Sequence, residues 1–209
     1  RRVGKTSILQ SVINRLLKNI SPNNIIYIPA ELKEVKQDGI KSIIEVITKQ
    51  KKINLFKDKI HIFIDEIQEI PDWQNDIKLL YDNTKIHFYI TGSSSLLLKK
   101  ETSKLTGRFI LRHVLPLSFI EFKDFYGQRN LSEKNLLEAY LQIGGYPEYV
   151  ISKNPIYLQQ AIESTLFREL LEYYGIRNPS VLSQLLRFLA DKVTTPVSAN
   201  KIATDLKID

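Results

Sequence analysis

Gly4, Lys5 and Thr6 stand side by side near the start of the chain, directly ahead of a run whose apolar residues recur at helical spacing. That trio is the end of the phosphate-binding pattern G-x-x-x-x-G-K-[ST]. In the pattern, successive backbone N–H groups form an anion-binding nest, and the following helix adds the positive end of its dipole. Lys5 would reach β- and γ-phosphates, and the Thr6 hydroxyl would ligate Mg²⁺. Arg1, Arg2 and Val3 fill variable positions of the loop, and Ser7 follows the threonine. The first glycine of the pattern would precede Arg1, so the sequence is expected to begin inside the loop, as a piece of a longer nucleotide-binding protein. Taken alone, Gly-Lys-Thr-Ser could equally be a plain helix start.

A second group narrows the reading. Ile60-His61-Ile62-Phe63-Ile64 is an apolar strand run that ends in Asp65-Glu66. The C-terminal end of a parallel strand faces the crevice where ligands bind. There Asp65 can hold Mg²⁺ and Glu66 can polarise a water for attack on a γ-phosphate. A solvated acidic turn would look the same in isolation. The two groups together, some 60 residues apart, point to nucleotide binding.

The elements that must position these residues follow from periodicity. Ile8, Leu9, Val12, Ile13, Leu16 and Leu17 predict a helix over 6–18, directly behind the loop. Ile25 to Ile28 reads as a buried strand ending at Pro29, and Ile40 to Ile47 as a helix. Strands over 59–65 and 85–91 flank a helix over 73–81, and a further strand is expected over Phe109 to Val114. Nearly continuous apolar strands alternating with helices predict a parallel sheet covered on both faces. From Ser132 onward the strand signal vanishes, and helices are expected over 133–143, 155–174, 180–192 and 199–206, the last capped by Ser198. The expected organisation is an α/β P-loop NTPase domain over 1–125 and an α-helical domain over 126–209. The segment from Val197 to Leu206 resembles the first helix of a winged-helix unit, whose recognition helix would come after Asp209.

Composition sets outer bounds. The chain has 209 residues, 43% of them hydrophobic and 25% charged, with no cysteine. Disulfides and thiolate metal sites are therefore excluded, and a reducing, cytoplasmic setting is expected. No apolar run approaches the roughly 20 residues of a membrane span. The net charge of +7 permits an anionic ligand or nucleic acid, although the lysines are scattered without a dense tail. His61, His87 and His113 each sit singly in a strand-like run and are read as buried core residues rather than a metal site.

Several motifs beyond the two phosphate-site groups carry a family resemblance. They are Pro71-Asp72-Trp73, Thr91-Gly92-Ser93-Ser94, Gly107-Arg108, Leu115-Pro116-Leu117-Ser118-Phe119, Gly144-Gly145-Tyr146-Pro147-Glu148 and Phe167-Arg168-Glu169. With them the chain resembles the AAA+-related ATPases that carry a C-terminal DUF4143 domain. The resemblance implies ATP, preferred over GTP, with Mg²⁺ on Thr6 and Asp65 and catalysis by Glu66. It implies that Thr91 or Ser93 contacts the γ-phosphate or the attacking water, where a turn and helix cap over 96–100 is the plainer alternative. It further implies that Arg108, or less strongly Arg112, senses the γ-phosphate, across a subunit interface in a homo-oligomer; a surface ion pair is the alternative for Arg108. DNA is a candidate partner of the helical domain. A nucleotide switch without turnover, or a DNA-tethering module, remains the competing function.

Overall fold

The computed structural model describes residues 2–92, 102–128, 130–164 and 178–206. The chain divides into two compact units, Val3–Pro116 and Leu117–Asp209, the latter grouped with the first two residues.

In the first unit helix α1 (Lys5–Leu16) follows Gly4 directly. It leads through a 3₁₀ turn at Pro22–Asn24 into strand β1 (Ile25–Pro29). Helix α2 (Lys33–Gln50), strand β2 (Ile60–Asp65), helix α3 (Trp73–Asn83) and strand β3 (Ile86–Ile90) follow. The strands form a parallel sheet in the order β1-β2-β3, with Ile26 opposite Ile62 and Ile62 opposite Phe88. Parallel neighbours need a crossover, and the intervening helices supply it.

Every residue of the central strand β2 is buried, which is why its sequence shows no alternation. One face of the sheet carries Ile26, Ile28, Ile60, Ile62, Ile64 and Ile86 into a core completed by Val35, Ile40 and Ile44 of α2 and Trp73, Ile77 and Leu80 of α3. The opposite face is aromatic. Phe63 stacks on Tyr89 at 4.4 Å between centroids, and His61 on His87 at 5.1 Å. A buried isoleucine in such a core contributes about 1.5–3 kcal/mol relative to exposure.

Helix α2 is two helices joined at Gly39, whose φ of 76° and ψ of 166° lie in a region reserved almost entirely for glycine. Beyond the break, the Lys41 N–H donates to the Asp76 carboxylate of α3 at 3.1 Å. An acid at a fresh helix N-terminus satisfies an orphan donor and opposes the positive end of the dipole. The sequence pattern finds only the second of these helices, because Gly39 interrupts the apolar period.

The strand expected over Phe109 to Val114 does not form; the segment is irregular. Its β-branched and aromatic residues pair with no strand among the described residues, and Ile110 is 82% exposed. Of the three histidines expected in the core, His61 is buried but His87 and His113 are exposed. His87 lies on β3, which pairs on one side only among the described residues, and His113 lies in the irregular segment.

In the second unit helix α4 (Phe119–Tyr126) begins with a capping box, in which Ser118 and Glu121 satisfy each other's backbone donors. Helices α5 (Glu133–Ile143), α6 (Pro147–Ser152), α7 (Ile156–Ser164), α8 (Pro179–Asp191) and α9 (Ala199–Leu206) follow. The sequence pattern does not reveal α4 and α6, both short. The expected extension of the 155–174 helix past Ser164 lies outside the described residues. Leu117, Phe122 and Val150 form a small core around which Phe119, Tyr126 and Tyr140 pack. The Gly144 to Pro147 turn joins α5 to α6 within this unit, and the Gly145 carbonyl accepts the Leu117 N–H at 2.7 Å. Ser198 caps α9, as expected, through the Lys201 N–H.

Gly39→Ala forces a side chain into the glycine-only region and is expected to cost about 1–3 kcal/mol in urea unfolding. Burial holds the His61 imidazole below its ordinary range, and His87 and Lys59 act in the same direction. The unfolded chain therefore takes up a proton that the folded chain refuses. Stability should be level above an ordinary imidazole pKa of about 6.5 and fall as pH drops below it, less steeply in His61→Leu.

Candidate functional site

The site forms where α1 begins and β2 ends. Gly4 has φ of 88°, a left-handed value that only glycine adopts freely, and its carbonyl accepts the first intrahelical bond from the Ile8 N–H at 2.9 Å. This turn aims the N-terminus of α1, with Lys5 and Thr6 in its first turn, at the end of the central strand.

Asp65 is the hub. The residue is 8% exposed, and one carboxylate oxygen, Oδ2, accepts the Thr6 hydroxyl at 2.7 Å and the Tyr27 hydroxyl at 3.0 Å. The other, Oδ1, accepts the Thr91 hydroxyl. The backbone around it is locked from both sides. The Ala30 N–H donates to the Asp65 carbonyl at 3.0 Å, and the Thr91 N–H to the Ile64 carbonyl at 2.9 Å. Both neighbouring strand ends thus clamp the residue.

Glu66 follows in a left-handed conformation, φ 56° and ψ 49°. Such backbone in a non-glycine residue is held against a cost of about 1–3 kcal/mol and clusters at functional sites. Its N–H donates to the Thr91 hydroxyl oxygen at 3.1 Å, so Thr91 serves both acids at once. The Glu66 carboxylate pairs with Lys5 at 3.6 Å on one oxygen and accepts Gln68 Nε2 at 2.6 Å on the other. Lys5 and Glu66 are only 15% and 22% exposed, so their attraction is less screened than that of a surface pair. Desolvation of Tyr27, with the Asp65 carboxylate beside it, pushes the phenol up to about 12. The hydroxyl therefore stays protonated and donating at any physiological pH.

Of the residues singled out by sequence, the structure gathers Lys5, Thr6, Asp65, Glu66 and Thr91 into one cluster. Arg2 and Ser7 are exposed and Val3 is half-buried in and just after the loop. Ser93 and the helix expected over 96–100 lie outside the described residues. Arg108 is not brought to the cluster: Nε and a terminal guanidinium nitrogen hold the Asp82 carboxylate at 2.7 and 3.0 Å. Asp82 sits at the end of α3 that feeds the start of β3, whereas the cluster sits at the strands' far ends. Arg112 is exposed in the irregular segment. Two residues of the cluster carried no expected role, Tyr27 and Gln68. Tyr27 was readable as the one polar-tipped residue in its apolar strand, and the parallel register places it opposite Phe63, on the face that carries Asp65.

The donor set is all oxygen, a hydroxyl and a carboxylate that already meet. Hard oxygen donors suit Mg²⁺, which binds few protein ligands and keeps much of its water. Thr6 and Asp65 thus fit that ion.

Comparison with known proteins agrees with this geometry. Residues 1–123 match the AAA domain family, and residues 134–209 match a domain of unknown function, DUF8612. The second match overturns the expected DUF4143 domain. The physical reason is that Gly144 is a helix C-cap and Pro147 a helix first-turn residue, punctuation common to unrelated helical units. The chain is 31% identical to the uncharacterized protein MJ1544 of Methanocaldococcus jannaschii, over 99% of this chain and 48% of that protein. It is 31% identical to an uncharacterized protein of Haemophilus influenzae, over 99% of this chain and 53% of that protein. It therefore spans about half the length of these curated relatives.

Thr91→Val removes the oxygen that Glu66 N–H and Asp65 share and leaves both without that partner. The expected loss is about 1–3 kcal/mol in urea unfolding, with Thr91→Ser retaining most of the stability.

Proposed function

Because the chain belongs to the AAA domain family, we propose that it binds ATP with Mg²⁺ and hydrolyses it, using the turnover to move the helical unit. The observation that carries this reading is the single cluster in which Thr6 meets Asp65 at 2.7 Å and Lys5 meets Glu66 at 3.6 Å. The cluster brings a cation, a hydroxyl and two carboxylates together at the N-terminus of a helix, where phosphates are readily held.

In this scheme the N-terminus of α1 receives the phosphates, with Lys5 leaving Glu66 to hold the terminal ones. Thr6 and Asp65 would hold Mg²⁺, which would supply neutralisation of charge on the transferring phosphoryl group. Tyr27 and Thr91 fix the Asp65 carboxylate from two sides. Glu66, released by Lys5 and oriented by Gln68, accepts a proton from the attacking water. Thr91 also holds the Glu66 backbone, and Ser93 is assigned to the γ-phosphate. Arg108 enters only from a second copy of the chain, because its own copy commits it to Asp82. The helical unit is a candidate DNA-contacting module.

The test is nucleotide binding and Mg²⁺-dependent phosphate release by the parent, Lys5→Ala and Glu66→Gln. Lys5→Ala should lose binding. Glu66→Gln should keep it while turnover falls by about 10²–10⁴-fold. Tight binding by the parent with no turnover would identify a switch instead, and no binding by the parent would overturn the reading.

A further inference from the structure

The two oxygens of the Asp65 carboxylate are not equally engaged. A carboxylate accepts along about four lone-pair directions, two on each oxygen. On Oδ2 both are taken, by the Thr6 hydroxyl at 2.7 Å and the Tyr27 hydroxyl at 3.0 Å. Oδ1 accepts the Thr91 hydroxyl alone among the described side chains. Thr6 and Asp65 meet through Oδ2, so a cation held by both side chains approaches that oxygen, directly or through one of the waters that Mg²⁺ keeps. One of the two donors on Oδ2 must then give way.

The hydroxyls around Asp65 differ in how freely they can leave. Thr6 has no need to: its oxygen can present a lone pair to the cation while its proton stays on Asp65. Thr91 is held at four points. Its hydroxyl donates to Asp65 and accepts the Glu66 N–H at 3.1 Å, its own N–H reaches the Ile64 carbonyl at 2.9 Å, and its carbonyl accepts the Ile67 N–H at 2.9 Å. Tyr27 has one tie. Among the described residues its hydroxyl meets Asp65 only, at the end of a side chain that turns about two bonds. Its backbone is fixed separately by the β1–β2 register, with Tyr27 opposite Phe63 and Pro29 opposite Asp65. The hydroxyl can therefore swing aside without disturbing the sheet. A hydrogen bond to a charged acceptor is stronger than a neutral one, so displacing it subtracts from the affinity of whatever replaces it.

We propose that Tyr27 is a positioning residue that competes with the metal for Asp65, holding the buried carboxylate until nucleotide and Mg²⁺ enter together and then yielding Oδ2. This rests on the nucleotide reading above and adds an order of events to it. With Tyr27 to displace and only Thr6 and Asp65 to offer, the site takes Mg²⁺ weakly by itself, and readily once phosphates supply further oxygen ligands.

The experiment titrates Mg²⁺ into the parent and Tyr27→Phe, each saturated with a non-hydrolysable ATP analogue, and compares their melting with the analogue in EDTA and in excess Mg²⁺. Tyr27→Phe, which removes the competing donor and keeps the ring, should take Mg²⁺ roughly tenfold more tightly. It should melt below the parent in EDTA, and the deficit should close in Mg²⁺, because a ligand bound more tightly by the variant returns stability to it. A purely structural hydroxyl would leave the same deficit in both conditions and the Mg²⁺ affinity unchanged. A hydroxyl that steadies Asp65 for the metal would make Tyr27→Phe bind Mg²⁺ more weakly. Either result overturns the proposal. A second measurement needs no loss of the hydroxyl: a fluorotyrosine in place of Tyr27 should shift its fluorine resonance when Mg²⁺ joins the bound analogue. A resonance that Mg²⁺ leaves unmoved overturns the proposal even where Tyr27→Phe fails to fold. Binding of the analogue is scored first. No binding by the parent overturns the nucleotide reading and this proposal with it, whereas binding without the expected gain in Tyr27→Phe overturns this proposal alone.

Discussion

Everything in the first unit converges on keeping one carboxylate buried at the end of the central strand. A buried carboxylate without partners is costly, by several kcal/mol even after relaxation. Asp65 is tolerable there because three hydroxyls from three different elements donate to it. Thr6 comes from α1, Tyr27 from β1 and Thr91 from the end of β3. The hydroxyl cluster thus ties the phosphate-binding helix and both outer strands to the middle of the sheet. The same bonds that stabilise the acid in the fold also fix its direction beside the first turn of α1.

The strain nearby has the same origin. Glu66 adopts left-handed backbone because the chain must turn at once after Asp65, and the hydroxyl of Thr91 receives the N–H that this turn exposes. The sheet's two faces divide the labour. The isoleucine face supplies the apolar core. The aromatic face stacks Phe63, Tyr89, His61 and His87 from the site back along the strands, and it accepts a buried histidine in a neutral state.

The opposite ends of the same strands differ in charge for a geometric reason. Helix C-termini and strand starts gather at one end, so Lys57 and Lys59 come to line one cavity with Lys85. Linear spacing gives no warning of this, since some 26 residues separate Lys59 from Lys85. Arg108 illustrates the converse. Its spacing and motif suited a γ-phosphate contact, but tertiary packing delivers it to Asp82 at the wrong end of the sheet for its own chain.

The parallel α/β order, the positions of β1, β2 and β3, and the pairing of a phosphate loop with a strand-end acid pair could be read directly. Their signals are local: continuous apolar runs, a helical period, and glycine where positive φ is required. The missed elements lacked a periodic signal. Helix α4 is short and its signal is a capping box rather than a period, and the run over 109–114 has strand propensity but meets no partner strand among the described residues. Tyr27 and Gln68 joined the site only through folding, because register and a tight turn, not sequence distance, bring their polar tips to the two acids. Residue type could say that Asp65 and Glu66 are capable of holding a metal and a proton. Which hydroxyls steady them, and which cations are left facing solvent together, depended on contacts between residues up to some 60 positions apart, and those exist only once the core has packed.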